Sequence, residues 1–206
     1  RSNTDNGAAL VVTLTSNDTS EATVAATVTI AAGQASATIS MAAVDDTLLD
    51  GSQTVTVTAS SGGYVGVADT VDVADFETLT VAIVAATVAE NAGAGATTGT
   101  VTRSNSDNGS ALTVTLGSSD TTEATVPATV TIAAGQASAT FSVAAVDDAL
   151  LDGTQTVNIA ATDAGYVSVG DALDVTDFET LTVAIVATTV AENAGAGATT
   201  GTVTRS

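Results

Sequence analysis

The chain has 206 residues and is strongly acidic, with 23 Asp and Glu against 3 Lys and Arg, no His and no Cys. A net charge of −20 excludes a nucleic-acid partner and disfavours anionic lipid, because both are bound through Lys and Arg. The absence of cysteine excludes disulfides. Hydrophobic residues make up 45% of the chain, which is enough to bury a core, so we expect it to fold.

The sequence repeats itself over its whole length. The triplet Arg-Ser-Asn begins at Arg1 and again at Arg103, and Arg205-Ser206 begins it a third time. The spacing is 102 residues in both cases (103 − 1 and 205 − 103). A period of this length indicates a whole domain rather than one turn of a solenoid, whose repeats span roughly 20–50 residues.

One complete period, residues 78–179, contains seven segments in which apolar residues alternate with Thr, Ser, Asp or Asn. They lie at residues 79–83, 100–102, 112–116, 128–132, 138–143, 156–159 and 173–175. Alternation at period two in segments rich in Val, Ile and Thr predicts half-buried β-strands. Turn residues such as Asp107-Asn108-Gly109 separate them. Seven short strands in about 100 residues predict an all-β, immunoglobulin-like, antiparallel β-sandwich of seven strands.

The period also predicts three segments. Residues 1–77 form a repeat that lacks its first two strands, residues 78–179 form a complete repeat, and residues 180–206 hold the first two strands of the next. Either a longer covalent array of repeats or short chains that polymerise by strand exchange would give this pattern. We favour the covalent array, because separate chains would leave two sheet edges open to aggregation.

Acidic residues cluster at the same points of each repeat. In the complete repeat they are Asp147, Asp148, Asp152, Asp177 and Glu179, and in the first segment they are Asp45, Asp46, Asp50, Asp75 and Glu77. Carboxylates gathered in this way, without His or Cys, favour Ca²⁺, which takes six to eight oxygen ligands. An Asp-Asp pair before an Asp-Gly turn is equally typical of a solvated loop, so the spacing leaves both interpretations open.

Five stretches of the repeat, in order, resemble the Calx-β domain, a calcium-binding sandwich module of sodium–calcium exchangers and large bacterial surface proteins. They are residues 87–93 (again at 189–195), 99–103, 132–136, 146–153 and 175–177. The resemblance implies a calcium ligand set of Glu90, Asp147, Asp148, Asp152 and Asp177, with Glu123 and Glu179 as further ligands and Glu192 at the position of Glu90. Gln155 stands where the family often has an acidic residue, which implies fewer or weaker sites.

We therefore expect a structural repeat of a long extracellular bacterial surface protein, such as an adhesin stalk, a filament or a sheath. Neighbouring repeats would be its partners, and Ca²⁺ at acidic loops near the joints would stiffen it. The alternatives are a ligand- or glycan-binding adhesin module and a subunit that polymerises by strand exchange. Tyr64 and Tyr166 could stack on a sugar, but one tyrosine per repeat better fits a structural corner.

Catalysis and membrane insertion are not expected. The chain has no His, Cys or Lys to act as base or nucleophile. Its longest aliphatic stretch, residues 81–86, is far shorter than the ~20 residues that span a bilayer. Asn17 and Asn108 fit the N-glycosylation sequon, which is a short pattern and a weak indication.

Overall fold

The computed structural model describes residues 6–205, so residues 1–5 and 206, at the ends of the first and last predicted segments, lie outside it. The described chain is built from β-strands, with two single 3₁₀ turns at Glu90–Ala92 and Glu192–Ala194. This confirms the predicted all-β class. Among the described residues no helix has the length and apolar character needed to cross a membrane.

The described residues form two compact units. Unit 1 contains residues 6–78, Ser104–Gly109 and Ala164–Val167. Unit 2 contains Leu79–Arg103, Ser110–Asp163 and residues 168–205. The predicted division of the sequence after residues 77 and 179 stays a prediction.

Unit 1 holds six strands in two sheets. They are β1 (Leu10–Ser16), β2 (Ala22–Val24), β3 (Thr27–Ile30), β4 (Met41–Ala43), β5 (Gln53–Ser60) and β6 (Val67–Val73). The larger sheet has the order β3-β1-β5-β6, and within residues 6–205 β2 pairs with β4 alone.

Twelve further strands lie wholly or partly in unit 2. They are β7 (Glu77–Ile83), β8 (Thr87–Ala89), β9 (Thr97–Arg103), β10 (Leu112–Ser118), β11 (Ala124–Thr125), β12 (Thr129–Ile132), β13 (Ser138–Ala145), β14 (Gln155–Thr162), β15 (Tyr166–Val169), β16 (Asp171–Thr176), β17 (Leu181–Ile185) and β18 (Gly201–Arg205). Two five-stranded sheets have the orders β12-β10-β14-β16-β8 and β11-β13-β9-β7-β15, and β17 and β18 form a separate hairpin.

All seven segments predicted in residues 78–179 form strands, as β7, β9, β10, β12, β13, β14 and β16. The structure adds β8, β11 and β15, which have two to four residues each and are too short to show a period in the sequence. Of these, β8 pairs with β16 in parallel, with Val88 beside Val175, whereas β10 and β14 pair antiparallel.

The core of unit 2 consists of the alternate residues that each sheet turns away from solvent. Its fully buried side chains include Leu79, Val101, Val114, Ile132, Val143, Val157, Ile159, Leu173 and Val175. The two sheets touch where β12 contacts β13. Each such aliphatic side chain contributes roughly 1.5–3 kcal/mol by burial, so this two-sided apolar layer is what holds the sandwich together.

One cross-strand pair of the core depends on a glycine. Phe141 of β13 lies opposite Gly99 of β9, and a Cβ on Gly99 would stand 2.3 Å from Cζ of the ring. Only glycine leaves room for the phenyl ring at this position.

Strand registers recur at the sequence period. Leu10 pairs with Ile30 as Leu112 pairs with Ile132, and Val81 pairs with Val101 as Val183 pairs with Val203. We call residues that stand 102 positions apart counterparts. The main difference is at β4, which is shorter than its counterpart β13. Residues 36–40 are not in a strand, because no strand among the described residues pairs with them as β9 pairs with β13.

Candidate functional site

Glu90 connects the beginning of the complete repeat with its end. It starts the 3₁₀ turn that follows β8 and is buried. Its Oε1 accepts a hydrogen bond of 2.6 Å from the backbone N–H of Phe178. The sequence neighbours of Phe178 are Asp177 and Glu179, which are also predicted ligands. The bond therefore holds Glu90 against the segment that carries them.

Glu123 is a buried carboxylate among other carboxylates. It precedes β11, and its backbone carbonyl accepts a hydrogen bond of 2.8 Å from the N–H of Val146, the residue that follows β13. Burial raises the pKa of Glu123, and the negative charges of Asp152 and Asp148 raise it further. The fold therefore holds Glu123 where its charge is unfavourable.

Glu179 has the least compensated carboxylate of the predicted set. Within residues 6–205 neither of its side-chain oxygens has a hydrogen-bond partner, although both atoms are shielded from solvent. Burial raises the pKa of Glu179, and the charges of Glu90 and Asp177 add to that effect. Shielded polar atoms in proteins almost always have a partner, so a proton or a cation would satisfy these oxygens.

The aspartates shape the loop between β13 and β14. Asp148 Oδ1 accepts a hydrogen bond of 2.7 Å from the N–H of Leu150, and Asp177 Oδ2 accepts one of 2.8 Å from the N–H of Gly153. Gly153 has φ 87°, which favours glycine. Asp147 and Asp152 are exposed on the same loop. The loop is thus tied to the segment that holds Asp177 and Glu179.

Unit 1 repeats this arrangement. Asp46 Oδ1 accepts from the N–H of Leu48 and Asp75 Oδ2 from the N–H of Gly51, both at 2.7 Å. Glu77 accepts a hydrogen bond from the hydroxyl of Ser104. A cavity of about 20 Å³ is lined by five acidic residues, Glu21, Asp45, Asp46, Asp75 and Glu77, among others. That volume is close to what one water molecule or ion occupies.

Glu21 lines this acidic cavity of unit 1, but the sequence did not predict it as a ligand. Burial raises the pKa of Glu21, and the negative charges of Asp50 and Asp46 raise it further. The side chain of Asp50 is exposed. The signal was present in the sequence, because Glu21 is the counterpart of Glu123. The structure leaves Glu192 exposed in the second 3₁₀ turn.

The carboxylates do not form a ready-made cage. Among the described residues, no group of three or more Asp or Glu is placed so as to hold a metal ion. The predicted ligand assignment therefore stays a prediction. The carboxylates are nevertheless placed unfavourably, because burial first and neighbouring negative charges second raise the pKa of both Glu123 and Glu179.

The structure also places the tyrosine of the complete repeat and the two asparagines of the glycosylation sequons. The hydroxyl of Tyr166 donates to Oδ1 of the buried Asn105 at 2.7 Å. Oδ1 of Asn17 accepts a hydrogen bond of 2.6 Å from the N–H of Thr56. Asn108 is half-buried. Glycosylation of the two asparagines stays a prediction.

Comparison with known proteins gives distant structural similarities. No family model and no curated protein matches the chain. The apo form of the Calx CBD1 domain is similar at 17% identity and a TM-score of 0.38, over 49% of this chain and 98% of that one. Extracellular cadherin domains 3–6 of protocadherin gamma B2 are similar at 12% identity and a TM-score of 0.37, over 87% of this chain and 43% of theirs.

A β-glycosidase from Bacteroides vulgatus is similar at 7% identity and a TM-score of 0.38, over 80% of this chain and 21% of the enzyme. At this distance the matched proteins differ widely in what they do, so the similarities carry no functional argument. The fold follows from the chain's own strand order and burial.

Proposed function

We propose that the chain is a structural repeat unit of a long extracellular bacterial surface protein, stiffened by Ca²⁺ bound at its acidic loops. The observation that carries the proposal is the placement of Glu123, a buried carboxylate whose pKa is raised by its burial and by Asp152, Asp148, Asp120 and Glu90. A fold that buries like charges together gains stability from any cation that neutralises them.

Calcium suits this set better than other common cations. The candidate ligands are carboxylate oxygens on loops and strand ends, and Ca²⁺ accepts irregular oxygen sets of six to eight ligands. Small movements of the exposed Asp147, Asp148 and Asp152 toward Glu123 would complete a site. Backbone carbonyls and water would supply the remaining oxygens.

Bound calcium would act by stiffening the end of the repeat. Residues 78–179 contain twelve acidic residues and one arginine, so the acidic side chains within each repeat repel one another. An ion held by Glu90, Asp177 and Glu179 would fix the last residues before the next predicted segment, which begins at residue 180. The proposed consequence is a more rigid joint between consecutive repeats.

Thermal unfolding in chelator and in millimolar Ca²⁺ tests the proposal. A ligand that binds only the folded state stabilises it by about 2.7 kcal/mol at a hundredfold excess over its Kd. For a domain of about 100 residues this corresponds to an increase in Tm of roughly 10 °C or more. Mg²⁺ at the same concentration should do less, because it requires a tighter octahedral site.

A monovalent salt of matched ionic strength separates binding from charge screening. The proposal fails if the melting curves in chelator and in Ca²⁺ coincide, or if the monovalent salt reproduces the whole effect. Exclusion of an enzymatic role stays a prediction from the composition.

A further inference from the structure

We propose that the hairpin of β17 and β18 is a donor element that completes the sandwich of unit 1 in a second copy of this chain. The inference rests on the proposed structural role and names its partner. It follows from a comparison of two hairpins that share a register and differ in what covers them.

The donor hairpin exposes an apolar face that its counterpart buries. Val183 is 66% exposed and Val203 is 67% exposed, whereas their counterparts Val81 and Val101 are 7% and 0% exposed. In the complete repeat the same hairpin, β7 with β9, pairs with β13 and lies in the core. The hairpin of β17 and β18 pairs only with itself among the described residues.

The acceptor face of unit 1 is open where the complete repeat is closed. Ile39 is 41% exposed, whereas its counterpart Phe141 is 5% exposed against Gly99. Met41 and Val71 are exposed as well, and their counterparts Val143 and Leu173 are fully buried. These residues line a cleft of about 430 Å³, together with Leu14, Val57 and other residues of the sheet.

The complete repeat shows how the two surfaces fit. In it Gly99 lies opposite Phe141, so docking in the same register would place Gly201 opposite Ile39. A Cβ on Gly201 would stand 2.7 Å from Cδ1 of Ile185, so the flexible end of that side chain has to turn aside when Ile39 docks against the glycine. Arg103 donates hydrogen bonds to the carbonyl oxygen of Gln136 at 3.0 and 2.8 Å. Docking in this register would also place Arg205 of one copy close to Gln34 of the other.

The pairing is head to tail and would continue from copy to copy. Donor and acceptor are different surfaces, so each chain can accept one hairpin and donate another. In a covalent array the same contact would form inside each repeat, between its first two strands and the strands that follow them, whereas the 206-residue chain would form it between copies.

Sedimentation velocity of the 206-residue chain at increasing concentration tests the inference. We expect species larger than a monomer that grow with concentration. Val183→Asp should abolish them, because it places a charge on the face that docks. Thr182→Asp is the matched control, since its counterpart Thr80 is exposed in the complete sandwich. Both positions are exposed in the hairpin, so neither change should unfold the chain.

A mixing experiment makes the test specific. Ile39→Asp removes the acceptor surface and leaves the donor, whereas Val183→Asp removes the donor and leaves the acceptor. Each variant alone should be a monomer, and an equimolar mixture should form a one-to-one dimer that does not grow further. A monomeric parent chain, or equal association of the Val183→Asp and Thr182→Asp variants, would overturn the inference.

The outcome is distinguishable from that of the calcium proposal. Association should persist in chelator, because the docking face is apolar, and the Ca²⁺ effect on Tm should persist in the Val183→Asp monomer. Loss of one result without the other shows which of the two proposals is wrong.

Discussion

The backbone N–H of Phe178 donates a hydrogen bond of 2.6 Å to Oε1 of Glu90, across 88 residues of sequence. The bond joins the turn after β8 to the segment after β16, and these two strands are also the parallel pair of the sheet. Glu90 therefore has two roles that can be separated. It accepts a structural hydrogen bond, and it carries a negative charge beside Asp177 and Glu179.

Substitutions at Glu90 should separate these roles. Glu90→Ala leaves the N–H of Phe178 without its acceptor and should lower the free energy of unfolding by about 1–3 kcal/mol. Glu90→Gln keeps an acceptor oxygen, so stability in chelator should change little while the Ca²⁺ effect on Tm decreases. Glu192→Ala, at the exposed counterpart, should stay within about 0.5 kcal/mol of the parent. Denaturant unfolding measures all three, and equal losses from the two alanine variants would contradict this role.

The raised pKa values predict an unusual dependence of stability on pH. Burial and neighbouring charges raise the pKa of Glu21, Glu123 and Glu179 above the ordinary value of 4.5. The folded state then binds protons more tightly than the unfolded state. Stability from this source is complete below about pH 4.5 and is lost as the pH rises through the raised pKa values. In chelator, Tm should therefore be higher at about pH 5 than at about pH 7.5.

Two groups set the lower limit of that range. Hydrogen bonds from Ser20 and Thr122 lower the pKa of Asp18 and Asp120 below 3.8, so their contribution is lost as the pH falls through those lowered values. Glu123→Gln should reduce the decline of Tm toward neutral pH, because glutamine does not titrate. Ca²⁺ should reduce it as well, because it replaces the proton as counter-charge. A Tm in chelator that rises from pH 5 to 7.5 would contradict the argument.

The longer strands could be predicted from the sequence because their apolar and polar residues alternate over enough positions to show a period of two. β10 and β14, with seven and eight residues, show a clear period of two. β8 and β11 do not, and they exist because longer neighbours, β16 and β13, give them a partner. The candidate site was predictable in residue type but not in geometry. Nothing in the sequence shows that Glu123 is buried while Asp147 is exposed, because that depends on the packing of β11 against β13.

Phe141 is buried against Gly99, whereas its counterpart Ile39 on the open face of unit 1 is exposed. Alanine substitutions at the two positions test whether Ile39 is uncovered in the monomer. Phe141→Ala should lower the free energy of unfolding by about 3–5 kcal/mol, because it leaves a cavity in a closed core. Ile39→Ala, at the exposed counterpart, should cost less than about 1 kcal/mol in the Val183→Asp monomer. Denaturant unfolding of both in that background makes the comparison. Similar losses would mean that Ile39 is covered in the monomer.

Two aspartates separate a calcium ligand from a bystander. Asp148→Asn should remove most of the Ca²⁺ effect on Tm, because Asp148 lies on the predicted site loop and its charge raises the pKa of Glu123 more than the charge of Asp120 does. Asp120→Asn should leave most of it, because Asp120 already accepts hydrogen bonds from Thr122 at 3.0 and 2.5 Å. Equal loss from the two variants would indicate diffuse screening of charge rather than a site.

The mass of the native protein separates a covalent array from a strand-exchanged polymer. We expect a ladder or a species of very high mass on a denaturing gel, because consecutive repeats in one chain would leave fewer sheet edges open. A single band near 19.8 kDa would instead contradict the covalent array.

Direct measurement of bound calcium tests the central claim most directly. Equilibrium dialysis of the Val183→Asp monomer with Ca²⁺ at neutral pH should show saturable binding, with a Kd at or below the 10⁻⁴–10⁻³ M typical of extracellular modules. Glu123→Gln should lower the number of ions bound per chain, and Thr182→Asp should leave it unchanged. Absence of saturable binding at millimolar Ca²⁺, or binding that Glu123→Gln does not change, would contradict the account.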